Sequence, residues 1–260
     1  MTRRTFTQTL SLLPLGLYAN IKEKNMSFKI HRAAQRGVAE HGWLHSRFSF
    51  SFADYHNPQR MGFGALRVIN DDVVESGMGF GMHPHKDMEI ISIVTKGALE
   101  HKDSQGNHGI TKAGEIQYMS AGSGVFHSEF ASDESDAALF QIWIHPNQKG
   151  GAPLYDQRDF MHHDKTNRWA IIVSPDGRED SITIKQDALI YSAEVESGKT
   201  MSIPSAKTDH GRLLLIIEGK VEINSHILNA RDELQITNEE GYTLFALEES
   251  KVLLFDVPMH

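Results

Sequence analysis

From Met26 to Asp72 the chain is a run of short strand-like pieces separated by polar turns. Phe48, Phe50 and Phe52 alternate with Ser49 and Ser51, a period of two that predicts a strand with one buried aromatic face. Asp54 to Gly64, with Pro58, Gly62 and Gly64, reads as a loop, and His56 falls inside it. Ile90 to Val94 is a strand of β-branched residues that Thr95-Lys96-Gly97 turns back on itself. After Trp143-Ile144-His145-Pro146 the pattern gives way to a polar, Gly-rich connector, Asn147 to Pro153, where a domain boundary is expected.

The second half repeats the first in weakened form. Ser197-Gly198 parallels Ser76-Gly77, Ile203-Pro204-Ser205 stands where His83-Pro84-His85 stood, and Glu218-Gly219-Lys220 repeats the Lys96-Gly97 turn. Arg231 to Gln235 echoes Ala113 to Gln117. Such a repeat predicts two β-barrels packed together, an all-β fold with the first barrel over 26–146 and the second over 147–260.

Residues 1–25 differ in character from the rest. Arg3-Arg4-Thr5-Phe6 precedes an apolar run from Leu10 to Ala19, too short to span a bilayer but suited to an export signal of twin-arginine type. Against export, Leu17 occupies a position where a signal peptidase prefers a small residue, and Met26-Ser27-Phe28 reads as a natural start. Both readings stand at this point, periplasmic if the leader is real and cytoplasmic if it is an upstream extension.

Composition narrows the chemistry. A formal charge of −8 with no Lys/Arg cluster argues against direct nucleic-acid binding. The absence of cysteine excludes disulfides, thiolate ligands and a thiol nucleophile, so any metal must be held by nitrogen and oxygen.

Those donors recur in a pattern. On an extended strand His83 and His85 project to one side while Pro84 points to the other, and His127 and Glu129 repeat the same spacing. Three imidazoles and one carboxylate suit a divalent transition metal, with positions left over for substrate or dioxygen. His101, in the charged run Glu100-His101-Lys102-Asp103, is expected to stay clear of the metal; adjacent His162-His163 point in different directions; and His210, without partners, reads as a surface or loop residue.

With Gly77, His83, His85, Glu89 and Gly97, the segment is close to the first cupin motif, and Ala113 to Gly124 leads directly into His127. At these residues the chain resembles the pirin family, in particular its bacterial quercetin 2,3-dioxygenase-like members. Further matching blocks are His41 to Leu44, Phe48 to Tyr55, Leu66 to Asp72, Gln141 to Ile144 and Leu253 to Asp256, so that the resemblance covers roughly residues 26 to 258. It implies a bicupin whose N-terminal barrel binds metal through His83, His85, His127 and Glu129 and whose C-terminal barrel has lost the ligands. In many cupins a carboxylate at the position of Glu89 is a ligand; in this family Glu129 takes that place, which leaves Glu89 to support a histidine.

The resemblance further implies one divalent ion, Fe(2+) first, with Zn, Mn, Co, Ni or Cu as alternatives. The implied substrate is a small aromatic flavonol such as quercetin, cleaved with O2 and release of carbon monoxide. Glu129 is the candidate base for the substrate hydroxyl, and Phe52, Phe80 and Met88 are candidate pocket walls. Two other readings remain open: a metal-bound regulatory or redox-sensing module with a protein partner, and other cupin chemistry, such as isomerisation of a small metabolite. A monomer without a membrane span is expected.

Overall fold

The computed structural model describes residues 28–161, 163–237 and 241–260; the leader 1–25, with the export question it raises, lies outside them. Among the described residues the chain is built from strands, with only two single-turn 3-10 segments, Ala33–Gln35 and Arg178–Asp180. No described helix is long and apolar enough to cross a membrane.

Two barrels share one plan, each a seven-stranded sheet facing a four-stranded one. In the first barrel the large sheet centres on Glu89–Lys96, Ala137–Ile144 and Leu66–Val74, and the small sheet is Gly79–His85, Val125–Ala131, Ala98–Asp103 and His108–Lys112. The second barrel repeats this with His210–Glu218, Ser250–Pro258 and Leu189–Val195 at the centre of its large sheet.

The expected boundary between 146 and 147 is not clean, because the barrels exchange edge strands. Phe28–His31, ahead of the first barrel, pairs antiparallel with Glu233–Ile236 of the second. Leu154–Asp159, beyond the connector, pairs with Glu115–Ser120 of the first. Each borrowed strand covers an edge that would otherwise offer unpaired N–H and C=O groups to another chain.

The barrels meet through their large sheets. Phe50, Leu66, Ile69, Ile91 and Phe140 pack in one buried cluster with Ile172, Leu213, Leu215, Leu253 and Phe255. A buried ionic knot lies beside this cluster. Arg60 Nη2 donates to Glu233 Oε2 at 2.6 Å, Arg36 Nε lies 3.7 Å from Glu233 Oε1, and Arg231 Nε donates to Asp71 at 2.7 Å. Burial alone would raise the Glu233 carboxyl, but His31, Arg36 and Arg60 around it outweigh that and hold it at about 2.

The Phe48 to Phe52 stretch departs from the expected alternation. The strand ends at Phe48, and Ser49 and Ser51 are as buried as the phenylalanines. Both serines are consumed by hydrogen bonds: Arg36 Nη2 donates to Ser49 Oγ at 2.9 Å, and the Asn57 amide donates to Ser51 Oγ at 2.8 Å. Phe50 turns into the inter-barrel core, while Phe48 and Phe52 lie with ring centroids 5.4 Å apart at the wall of the first barrel's cavity.

Candidate metal centre

The site forms where two strands of the small sheet run antiparallel. His83 pairs with His127 and, across a bulge, Glu129 pairs with Phe80, so two steps on one strand span three on the other. Gly79 lets the strands close at that irregularity, since a Cβ there would lie 2.2 Å from the Glu129 carbonyl oxygen.

This pairing brings His83, His85 and His127 together, with ligand nitrogens all within 4.8 Å of one another and ring centroids 4.4 to 4.9 Å apart. Burial, with His127 and His83 adding to it, lowers His85 to about 4; burial, with His83 and His101 next, lowers His127 to about 3. Both rings are therefore neutral near pH 7 and keep a lone pair for a metal. His83 Nδ1 donates to the Gly81 carbonyl at 2.8 Å, which leaves its Nε2 as the free lone pair. His127 Nε2 is fully buried with no protein partner. An orphaned buried nitrogen among three converging imidazoles fits a divalent transition metal.

Glu129 is buried on the same strand face as His127, and its oxygens are held on two sides. Gln117 Nε2 donates to Oε1 at 2.7 Å and Gln141 Nε2 donates to Oε2 at 2.8 Å. By distance Glu129 groups with His127 and His101, and it shares the wall of one cavity with His83 and His85.

That cavity has a volume of about 650 Å³. Phe52 and Phe80 line it. Met88 does not: it packs away from it, against Ile90, Met119, Ala121 and Val125. Sequence reasoning did not single out Trp143, whose ring stands edge-on to His85 at 4.8 Å and to Phe52 at 5.3 Å. Its indole N–H donates to Gln141 Oε1 at 3.1 Å, so the wall and the Glu129 carboxylate are tied through one amide.

Two other expectations need correction. Glu89 supports no histidine. It accepts hydrogen bonds from the Tyr118 hydroxyl, from Ser120 Oγ at 2.7 Å and from the Lys185 backbone amide at 2.9 Å, and so links the first barrel to the second. The cause is Asp87, whose φ of 52° breaks the strand after His85; Glu89 then starts a strand of the opposite sheet. His101 lies on the returning strand Ala98–Asp103. It is fully buried inside the barrel, with Nδ1 3.4 Å from His127 Nδ1. His210 is likewise paired, to Asp256 at 2.7 Å.

The second barrel holds no such donor set among the described residues. Where the histidines would recur it buries Met201, Ile203, Leu244 and Ala246.

Asp72 is a further cavity residue that the sequence did not mark as functional. It is buried, with Ser46 Oγ donating to it at 2.5 Å, and burial raises its carboxyl to about 7, Ser46 opposing. A carboxyl whose folded value is raised binds more protons folded than unfolded, so its contribution is intact at low pH and is lost as pH rises toward 7. Asp72→Asn in the metal-free protein should therefore gain on wild type by about 2–3 kcal/mol between pH 5 and pH 8, at 1.36 kcal/mol per pH unit. Urea titrations at both pH values measure it, and a pH-independent difference would refute the assignment.

The family model described as Pirin matches residues 28–144, and that described as Quercetinase C-terminal cupin domain matches 171–257. A quercetin 2,3-dioxygenase of Escherichia coli K12 is 43% identical over 230 residues, 88% of this chain and 98% of its own length. The chain belongs to the pirin family. A pirin-like protein of Caulobacter vibrioides is 41% identical over 221 residues, covering 85% of this chain and 95% of its own. Among solved structures, the E. coli bacterial pirin YhhW in complex with nickel(II) superposes with a TM-score of 0.84 at 41% identity, over 89% of this chain and 99% of that one. The pirin bicupin architecture is thus common to this chain and to a relative that holds a divalent ion.

Proposed function

We propose that this pirin is a metal-dependent dioxygenase that opens the heterocyclic ring of a flavonol such as quercetin. The observation that carries the reading is the placement of His83, His85 and Glu129 on the wall of a cavity that Phe52, Phe80 and Trp143 also line, with His127 Nε2 buried and unpartnered beside the two histidines. Its 650 Å³ lies within the roughly 300–1,000 Å³ of small-molecule pockets. Relatives carrying the same activity in their names support it.

His83, His85, His127 and Glu129 would hold the ion, proposed as Fe(II). Once bound, it supplies Lewis acidity toward the substrate hydroxyl and a centre at which dioxygen can react. The chain's own residues do the rest. Trp143, Phe52 and Phe80 offer edges and faces to a planar aromatic molecule and exclude water from it. Glu129 accepts the hydroxyl proton on a lone pair not used by Gln117 or Gln141. Those two amides would hold the carboxylate in place while it does so.

The test is incubation of iron-loaded protein with quercetin, with and without oxygen, following the flavonol absorbance; a parallel nickel-loaded arm addresses metal identity. Oxygen-dependent loss supports the reading, and no loss with any of Fe, Ni, Co, Mn, Cu or Zn would sink it. Trp143→Ala should raise KM roughly 10- to 50-fold with a smaller change in kcat, the size expected for about 2 kcal/mol of lost aromatic contact. An unchanged KM would show that substrate does not lie against this wall.

A further inference from the structure

We infer that His101 and Asp103 form a relay that fixes the proton on His127 and so aims its Nε2 at the metal position. The inference rests on the metal reading of His83, His85 and His127. His101 and Asp103 face the barrel interior from the strand Ala98–Asp103, while Lys102 between them is exposed. That strand pairs directly with the strand of His127 and Glu129.

The proton positions follow from the partners in turn. Asp103 is a carboxylate that accepts from the Gln105 and Asn107 amides and from Asn107 Nδ2, at 2.8 to 2.9 Å. His101 Nε2 lies 3.4 Å from Asp103 Oδ2, which only accepts, so Nε2 carries a proton. Gln117 Nε2, a donor, approaches His101 Nδ1 at 3.5 Å and marks that nitrogen as an acceptor. His127 Nδ1, 3.4 Å away, must then donate, and the only lone pair left on His127 is at Nε2. This is the buried nitrogen with no protein partner. The Tyr155 ring stacks on His101 at 4.6 Å and 25°, which holds the plane the relay requires.

A metal-bound histidine whose other nitrogen donates to a fixed acceptor is a better aligned and more basic ligand. His101 is thus a positioning residue, acting on the ion only through His127. Its carboxylate lies one ring further out than in the usual carboxylate–histidine pair.

Two measurements on the full chain test this. In metal-free protein labelled with 15N-histidine, long-range 1H–15N correlation at fixed neutral pH should show His127 as the Nδ1–H tautomer and His101 as Nε2–H. An Nε2–H tautomer at His127 overturns the proposal, and this readout needs neither a variant nor a metal. In the second, Co(II) affinity is read by competition with a chromophoric chelator, together with the visible Co(II) spectrum. His101→Leu, which removes the acceptor, should lose about 10- to 100-fold in affinity and shift the bands. His101→Asn, which presents an amide oxygen near the former Nδ1, should stay within about threefold of wild type on that scale. Wild-type affinity in His101→Leu, or equal loss in both variants, overturns the relay. Failure of wild type itself to bind Co(II) or Ni(II) would instead defeat the metal reading.

Discussion

His127→Ala abolishes turnover and lowers metal affinity by at least about 100- to 1,000-fold, beyond the roughly 10- to 100-fold that loss of an outer partner costs. Among the three histidines this one is the most enclosed, and its Nε2 has no other task in the protein. His83 and His85 lie on a partly exposed strand at the edge of the small sheet, where water can replace a lost ligand. At His127 the neighbours are His83, His85 and His101, and none of them reaches the vacated position without leaving its own hydrogen bond or ring contact. Glu129, two residues on, stays clamped by Gln117 and Gln141, so the variant keeps its carboxylate and loses the nitrogen that balances it. Metal content by elemental analysis and flavonol turnover measure the effect, with circular dichroism as the check that the barrel is intact. A folded variant retaining a full equivalent of ion would remove His127 from the site.

That these side chains share a face was legible because strand geometry is local. A spacing of two puts side chains on one face whatever the strand pairs with, so His83 with His85 and His127 with Glu129 could be read before the sheet was known. The rest of the site depends on non-local pairing. Trp143, Gln141 and Asp72 lie on strands of the large sheet, and nothing in their own segments says that their faces look into the cavity. His101 is a different case, because the signal was present. Period two through Glu100-His101-Lys102-Asp103 already puts His101 and Asp103 on one face and Lys102 on the other, yet the charge of the run was read only as an argument against metal contact. Glu89 and Met88 were misplaced by one backbone conformation, the positive φ at Asp87 that moves the chain from one sheet to the other. The repeat revealed two barrels but could not reveal their exchanged edges, since the pairing of Phe28–His31 with Glu233–Ile236 spans nearly the whole chain.

That exchange sets up the other large effect. Glu233→Ala should destabilise the protein by about 3–5 kcal/mol, the cost of leaving buried charges uncompensated. Glu233 is fully buried between Arg36 and Arg60, whose side chains are 1% and 4% exposed. Without it Arg60 keeps the Ser49 carbonyl and His31 but no carboxylate, and Arg36 is left with Asp71 alone at 3.6 Å. For a chain of this size the loss corresponds to a fall in Tm of roughly 10 °C. The pH dependence separates this from simple cavity formation. A carboxyl held at about 2 contributes stability that is complete above its ordinary range near 4.5 and is lost as pH falls toward 2. The gap between wild type and Glu233→Ala should therefore narrow as pH is lowered from 5 to 3, whereas a packing defect would leave it constant. Glu233→Met combined with Arg60→Met should recover part of the loss, because removing both partners is far cheaper than removing one. A single-variant loss below about 1 kcal/mol, the size of an exposed pair, would mean that water reaches this knot and that its charges are not buried as a unit.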